Sequence, residues 1–161
     1  MRSQRVAQYA SNAEPRVRRA YFDCRFGQLH MHFAMPTGGG FDEGTSVLCI
    51  AGEPGSGRWF QPLLAPLGRT RSVYAPDLPG CGESDGPAEG AGGPDSLAGA
   101  LLDFLDSMRI RQVDVIVAGS GQAIARALTA ARPGLVRNTL QAAEGQSAQD
   151  MLEKALRSLV P

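Results

Sequence analysis

An α/β fold, with a mainly parallel sheet and helices on both faces, is what this sequence predicts. Two observations carry the prediction. Short continuous apolar runs, Val47-Leu48-Cys49-Ile50-Ala51 and Val113-Asp114-Val115-Ile116-Val117, have the length and β-branched content of strands covered on both sides. Between and after them lie segments with apolar residues at helical spacing. The resulting order is a β-hairpin followed by β-α-β-α-β-α-β-α, and such alternation builds a three-layer sandwich.

The elements follow in order. Residues 1–15 are polar and aperiodic and are expected to form a flexible arm, leaving 16–161 as a single domain. Val17 to Arg25 reads as a first strand. Gln28 to Met35 alternates, with Leu29, Met31, Phe33 and Met35 on one face and His30, His32 and Ala34 on the other; Phe26-Gly27 between the two segments predicts an antiparallel pair. Thr37 to Gly40 is a turn. After the strand at 47–51, Gly52 to Gly57 is a glycine-rich loop, and Trp59 to Leu67 a short helix stopped at Gly68. Val73-Tyr74-Ala75 is the next strand. Glu83 to Asp95, rich in Gly, Pro and acidic residues, reads as a mobile surface loop. Ser96 is expected to cap a helix with the stripe Leu97, Leu101, Leu105 and Met108. Gln122 to Ala131 is a helix ended by Pro133-Gly134, and Val136 to Leu140 a last strand. Ser147 caps a final helix, with Asp150 three residues on and Met151, Leu152, Ala155, Leu156 and Leu159 on one side.

Composition narrows the function classes. Lys+Arg 16 balances Asp+Glu 16, which gives no global signal for nucleic acid or an anionic membrane. No apolar run is long enough to span a bilayer, and no apolar secretory core follows Met1. Cys24, Cys49 and Cys81 are odd in number and without paired spacing, which argues against a disulfide framework and a zinc site. A reducing, cytoplasmic compartment is the expectation. Cys49 reads as a core residue and Cys81 as an ordinary exposed thiol. His30 and His32, the two histidines of the chain, read as partly buried or surface residues of a strand.

Three ordered motifs carry a resemblance. They are Ala51-Gly52-Glu53-Pro54-Gly55-Ser56-Gly57-Arg58-Trp59; Asp77-Leu78-Pro79-Gly80-Cys81-Gly82-Glu83-Ser84-Asp85; and the turn before Gln122 with Ala130-Ala131-Arg132-Pro133-Gly134-Leu135-Val136-Arg137. The first is similar to a His-Gly-x-Pro-Gly loop after a third strand, with Ala51 in the His position. The second is similar to an Asp-x-Pro-Gly-x-Gly-x-Ser loop after a fourth. Over residues 17 to 140 the chain resembles the α/β-hydrolase family, and Gly-Glu-Pro leans toward its epoxide-hydrolase and haloalkane-dehalogenase members. The resemblance implies a hydrolase sheet that ends before the two strands bearing the catalytic acid and histidine.

The family turn is Gly-x-nucleophile-x-Gly. An ungapped count back from Ala125, Leu128 and Arg132-Pro133 puts Gly119 at the nucleophile position, with Gly121 two residues after it and Val117 two before. Glycine has no side chain to attack with, yet tolerates the strained backbone of that turn. The rival register makes Ser120 the nucleophile, with Ala118 before it and Gln122 after it. A serine needs a base, and the resemblance puts the strand of His30 and His32 away from the active-site end. Glu144, where some relatives carry the acid, reads as solvated. The resemblance assigns the oxyanion-hole backbone N–H groups to Glu53 and Ser120.

Two other glycine readings fail. Gly52 to Gly57 has P-loop spacing, but Arg58-Trp59 stands in place of Lys-Ser/Thr; Gly119-Ser120-Gly121 lacks the third small residue of a dinucleotide fingerprint, which is Ile124 here. No cofactor, metal, nucleic-acid or membrane partner is expected. The expected function is a hydrolase-like protein without triad activity that binds a small molecule or a partner. The alternatives are a hydrolase acting on an ester, epoxide or similar small substrate through Ser120 or a residue from another chain, and the front part of a longer hydrolase. A sheet without its last strands exposes an edge; the final helix is expected to fold back as a cover, or two chains to pair as a homodimer.

Overall fold

The computed structural model describes residues 14–37, 44–52, 55–87 and 92–159. Six strands form one sheet: β1 (Arg18–Cys24), β2 (Gly27–Ala34), β3 (Ser46–Ala51), β4 (Val73–Pro76), β5 (Val113–Ala118) and β6 (Val136–Gln141). Their spatial order is β1-β2-β4-β3-β5-β6. The first two are an antiparallel hairpin, β2 is antiparallel to β4, and β4, β3, β5 and β6 are parallel to one another. The helices are α1 (Gln61–Leu67), α2 (Pro94–Ser107), α3 (Gln122–Ala131) and α4 (Ala148–Ser158). Short 3₁₀ turns, Gly57–Phe60 and Gly119–Gly121, lead into α1 and α3.

The alternation of side chains along each strand fills two cores, one per face. One holds Leu29, Met31, Leu48, Ile50, Val115 and Val117 against Leu101, Phe104 and Leu105 of α2 and Leu128 of α3. The other holds Val47, Cys49 and Ile116 under Leu63 and Leu64 of α1 and Met151 and Ala155 of α4. The expected layers, and the central strand and helix positions, are those observed.

Three local expectations are corrected. Helix α2 begins at Pro94 after Gly93, so Ser96 lies inside the first turn rather than capping it; proline supplies the fixed φ at the first helical position instead. Leu156 is 57% exposed, because α4 turns only the Met151–Leu152–Ala155 side to the sheet. Ser84 and Asp85 do not belong to a free loop: the Ser84 hydroxyl oxygen accepts from the His30 N–H at 2.8 Å and the Asp85 carboxylate from the Gln28 N–H at 2.7 Å. The arm expected at 1–15 lies mostly outside the described residues, as does most of the turn at 37–40; Glu14 pairs with Arg69 at 2.5 Å and Pro15 is buried.

The final helix does fold back as a cover. A capping box starts it: the Ser147 hydroxyl accepts from the Asp150 N–H at 3.1 Å, and the Asp150 carboxylate accepts from the Ser147 N–H at 3.4 Å. Its end is tied down by a buried cation. Arg71 Nη2 donates to the Leu159 carbonyl at 2.8 Å, and Nη1 lies 3.8 Å from Asp114, which is fully buried on β5. Arg137 holds the same carboxylate through Nε at 3.0 Å and Nη2 at 2.7 Å, with Asn138 at 3.0 Å. One acid on β5 thus anchors β6 directly and α4 through Arg71. Beyond β5, β6 has no further strand beside it among the described residues.

If α4 is a structural cover, Met151→Ala should cost about 3 kcal/mol by leaving a cavity, while Leu156→Ala should stay within about 0.5 kcal/mol. Urea unfolding of the two variants against the parent checks the contrast.

Candidate functional site

The carboxyl ends of β3, β4 and β5 share one end of the sheet, and their loops meet there. At the end of β5 the chain bends within three residues into α3. Gly119 makes the bend with φ +60°, the left-handed region open to glycine. Ser120 follows it, exposed, inside the 3₁₀ turn. The loop after β3 presses directly on this bend. Gly52 N–H donates to the Ala118 carbonyl at 2.7 Å. A Cβ on Gly52 would run into the Ser120 backbone nitrogen, and one on Gly121 would sit 2.8 Å from the Ile50 carbonyl oxygen. The close approach therefore demands glycine at both positions. At Gly119, among the described residues, a Cβ would meet the Gly52 backbone, at an ordinary 3.7 Å.

Above the bend lies a cleft of about 690 Å³ floored by Ala51, Gly52, Ala118 and Gly119 and walled by Arg58 and Trp59. A second concavity of about 510 Å³ adjoins it, sharing Trp59, Ala118 and Gly119 and running past Gln141 to Glu144. Gln141 Nε2 donates to the Gly119 carbonyl at 3.4 Å and to the Ala142 carbonyl at 3.2 Å. Glu144 is exposed. Glu53 lies outside the described residues.

The histidines are where the structure departs most from expectation. His30 and His32 are 4% and 3% exposed, not surface residues. Nor are they at the far end of the sheet. Because β2 runs antiparallel to β4, His32 pairs with Ala75 and Met31 with Pro76, beside the carboxyl end of β4. Both rings meet the Asp77 carboxylate, His30 Nδ1 at 2.8 Å from Oδ2 and His32 Nε2 at 3.3 Å from Oδ1. The same carboxylate accepts the Gly57 N–H at 2.8 Å, the Ser56 hydroxyl at 3.2 Å and the Glu83 N–H at 3.1 Å. Cys81 is half-buried in this second loop, not fully exposed, since its sulfur packs against Gly55. Sequence reasoning missed the cluster because two histidines and an aspartate 45 residues apart carry no local spacing signal.

His30, His32 and Asp77 offer ligand atoms within 4.8 Å of one another, a set of residue types suited to a metal ion. Hydrogen bonds already account for the arrangement: five donors occupy a carboxylate with about four lone-pair sites. The acid is thereby a tie between β2, the loop after β3 and the loop after β4. Burial alone would push Asp77 up, but His30, the Glu83 and Gly57 N–H groups and His32 outweigh it and hold the carboxyl below its ordinary value. Burial holds His32 below its usual 6.5, against the pull of Asp77.

Residues 47–158 match the model of the Alpha/beta hydrolase family. The chain belongs to the α/β-hydrolase family. A curated relative, 2-hydroxymuconate semialdehyde hydrolase of Pseudomonas sp. (strain CF600), is 32% identical over 97 residues, which are 58% of this chain and 34% of the relative. An epoxide hydrolase mutant of Vigna radiata superposes with a TM-score of 0.70 at 20% identity, over 79% of this chain and 38% of that one. Cfl2 of Burkholderia cenocepacia gives 0.67 at 25% identity, over 78% and 41%. This α/β-hydrolase chain thus spans about a third to two-fifths of the length of these proteins. Among its described residues no helix is long and apolar enough to cross a membrane.

The pH dependence follows from the two shifted groups. His32 is harder to protonate folded than unfolded, so the stability of the neutral form is complete above pH 6.5 and falls as pH drops below it; Asp77 adds a second loss below about pH 3.8. The melting temperature should therefore be lower at pH 5 than at pH 7.5, and His32→Asn should reduce that difference. Scanning fluorimetry across the range measures both.

Proposed function

We propose that this α/β-hydrolase domain works without a covalent nucleophile and binds a small molecule in the cleft at the end of β5. The observation that carries the reading is Gly119. It holds the left-handed bend between β5 and α3 at φ +60°, it faces the cleft, and it has no side chain to form an adduct. In this register the family resemblance assigns the oxyanion-type backbone N–H groups to Ser120 and Glu53. Both histidines are engaged with Asp77 and buried, which leaves them poorly placed to activate a hydroxyl.

The competing reading is hydrolysis of an ester, epoxide or similar substrate through Ser120, whose exposure at the bend favours it. The relatives' names, a semialdehyde hydrolase and an epoxide hydrolase, support hydrolysis as the activity of a longer protein in which this domain would supply the cleft. The three free thiols suit a reducing, cytoplasmic setting. The β6 edge, with Arg137, Asn138 and Thr139 exposed or nearly so, supports pairing of two chains.

A fluorophosphonate probe separates the readings. Wild-type protein should stay unlabelled by intact mass; one probe per chain, lost in Ser120→Ala, would establish Ser120 as a nucleophile and end the non-covalent reading. Sedimentation should give a dimer mass that falls toward the monomer on dilution. A concentration-independent monomer would end the homodimer proposal.

A further inference from the structure

The groove over Gly119 is chemically lopsided, and the asymmetry specifies a ligand. Its floor, Ala51, Gly52, Ala118 and Gly119, contributes no side chain larger than a methyl group. An occupant must therefore bring its own apolar bulk and lie flat. Trp59 forms the wall common to both concavities. It is held by an edge-to-face contact with fully buried Phe60, ring centroids 4.9 Å apart at 82°. That contact leaves a large aromatic surface 36% exposed to the groove and the solvent beyond it.

The charges line different concavities: Arg58, with Ser56, the first, and Glu144, with Gln141, the adjoining one. Arg25, Arg69, Arg132 and Arg137 each hold a carboxylate, whereas Arg58 enters no ion pair among the described residues. Its segment is nonetheless fixed: the Arg58 N–H donates to Ser56 Oγ at 3.2 Å, and that hydroxyl donates to buried Asp77 at 3.2 Å. On an anchored turn the backbone needs no ordering on binding, so only the side chain's own rotamers are lost, and the planar guanidinium fork matches a carboxylate. One cation among the described lining residues, with Glu144 in the adjoining concavity, suits one negative charge better than a multiply charged phosphate.

We propose that the groove binds a planar aromatic carboxylate, its ring against Trp59 and its acid group paired with Arg58. The orientation is set by charge, since the reverse placement brings the acid beside Glu144. The pocket volume lies within the range of about 300–1,000 Å³ usual for small-molecule sites. The inference rests on the reading of the cleft as a non-covalent site and adds the class of its ligand.

Trp59 is the one tryptophan of the chain, so its fluorescence reports on the groove directly. Benzoate and its neutral counterpart benzamide are titrated at low salt into wild-type, Arg58→Gln and Glu144→Gln protein. Benzoate should bind wild type at least tenfold more tightly than benzamide does. Arg58→Gln should abolish that preference while leaving benzamide unchanged, and Glu144→Gln should keep it. Equal binding of the two compounds, a preference that survives in Arg58→Gln, or no response to millimolar benzoate would each overturn the assignment. None of these outcomes labels Ser120, so a failure here is distinct from a failure of the non-covalent reading, which the fluorophosphonate experiment reads.

Discussion

The Asp77 carboxylate sits where β2, the loop after β3 and the loop after β4 converge, and the wall of the cleft depends on it. It accepts two ring nitrogens, two backbone N–H groups and a hydroxyl, while its own carbonyl accepts the Ser84 hydroxyl at 2.6 Å. A buried charge of this kind is costly unless it is surrounded by donors. Here the hydrogen bonds from these donors offset the cost of burying the charge, and because the donors come from separate segments the same bonds fix those segments to one another. Ser56 and Gly57 are held on one side and Glu83 on the other. Arg58 and Trp59 follow Gly57 immediately, and the wall of the cleft inherits its position from the acid beneath it.

A second buried acid plays the matching part at the opposite end of the sheet. Asp114 holds Arg137 and Asn138 of β6 and lies against Arg71, which in turn reaches the end of α4. The two acids act on different joints. Asp77 fixes loops at the carboxyl ends of the parallel strands, where binding occurs in folds of this kind. Asp114 fixes the outermost strand and the covering helix, which keeps the sheet closed on its α1/α4 face. The division explains how a chain that spans only about a third of a relative's length still assembles two continuous cores.

The bend after β5 shows how backbone packing constrains the residues around the cleft. Gly52 and Gly121 are required by backbone contact between β3 and β5. Gly119 is required by its φ, with no crowding among the described residues. A bend of this shape persists because the strand-to-helix crossover needs it, whether or not a side chain projects from it.

Strands, helices and the family were legible in the sequence because they rest on local information. Apolar runs mark β3 and β5, the Ser147–Asp150 pair marks the start of α4, and glycine spacing marks the loops after β3 and β4. The Gly119 bend too was legible, since glycine tolerates the left-handed backbone it adopts there. The Asp77 hub was not, since it depends on an antiparallel strand carrying His30 and His32 to the level of Ala75 and Pro76, and alternation alone reads them as an ordinary strand face. The same holds for Asp114, which is indistinguishable in sequence from any polar residue within an apolar run. The sequence by itself determined which segments become strands and helices, because periodicity and capping act over a few residues. Only the tertiary structure decided which charges are buried together, because strand order and direction set those distances.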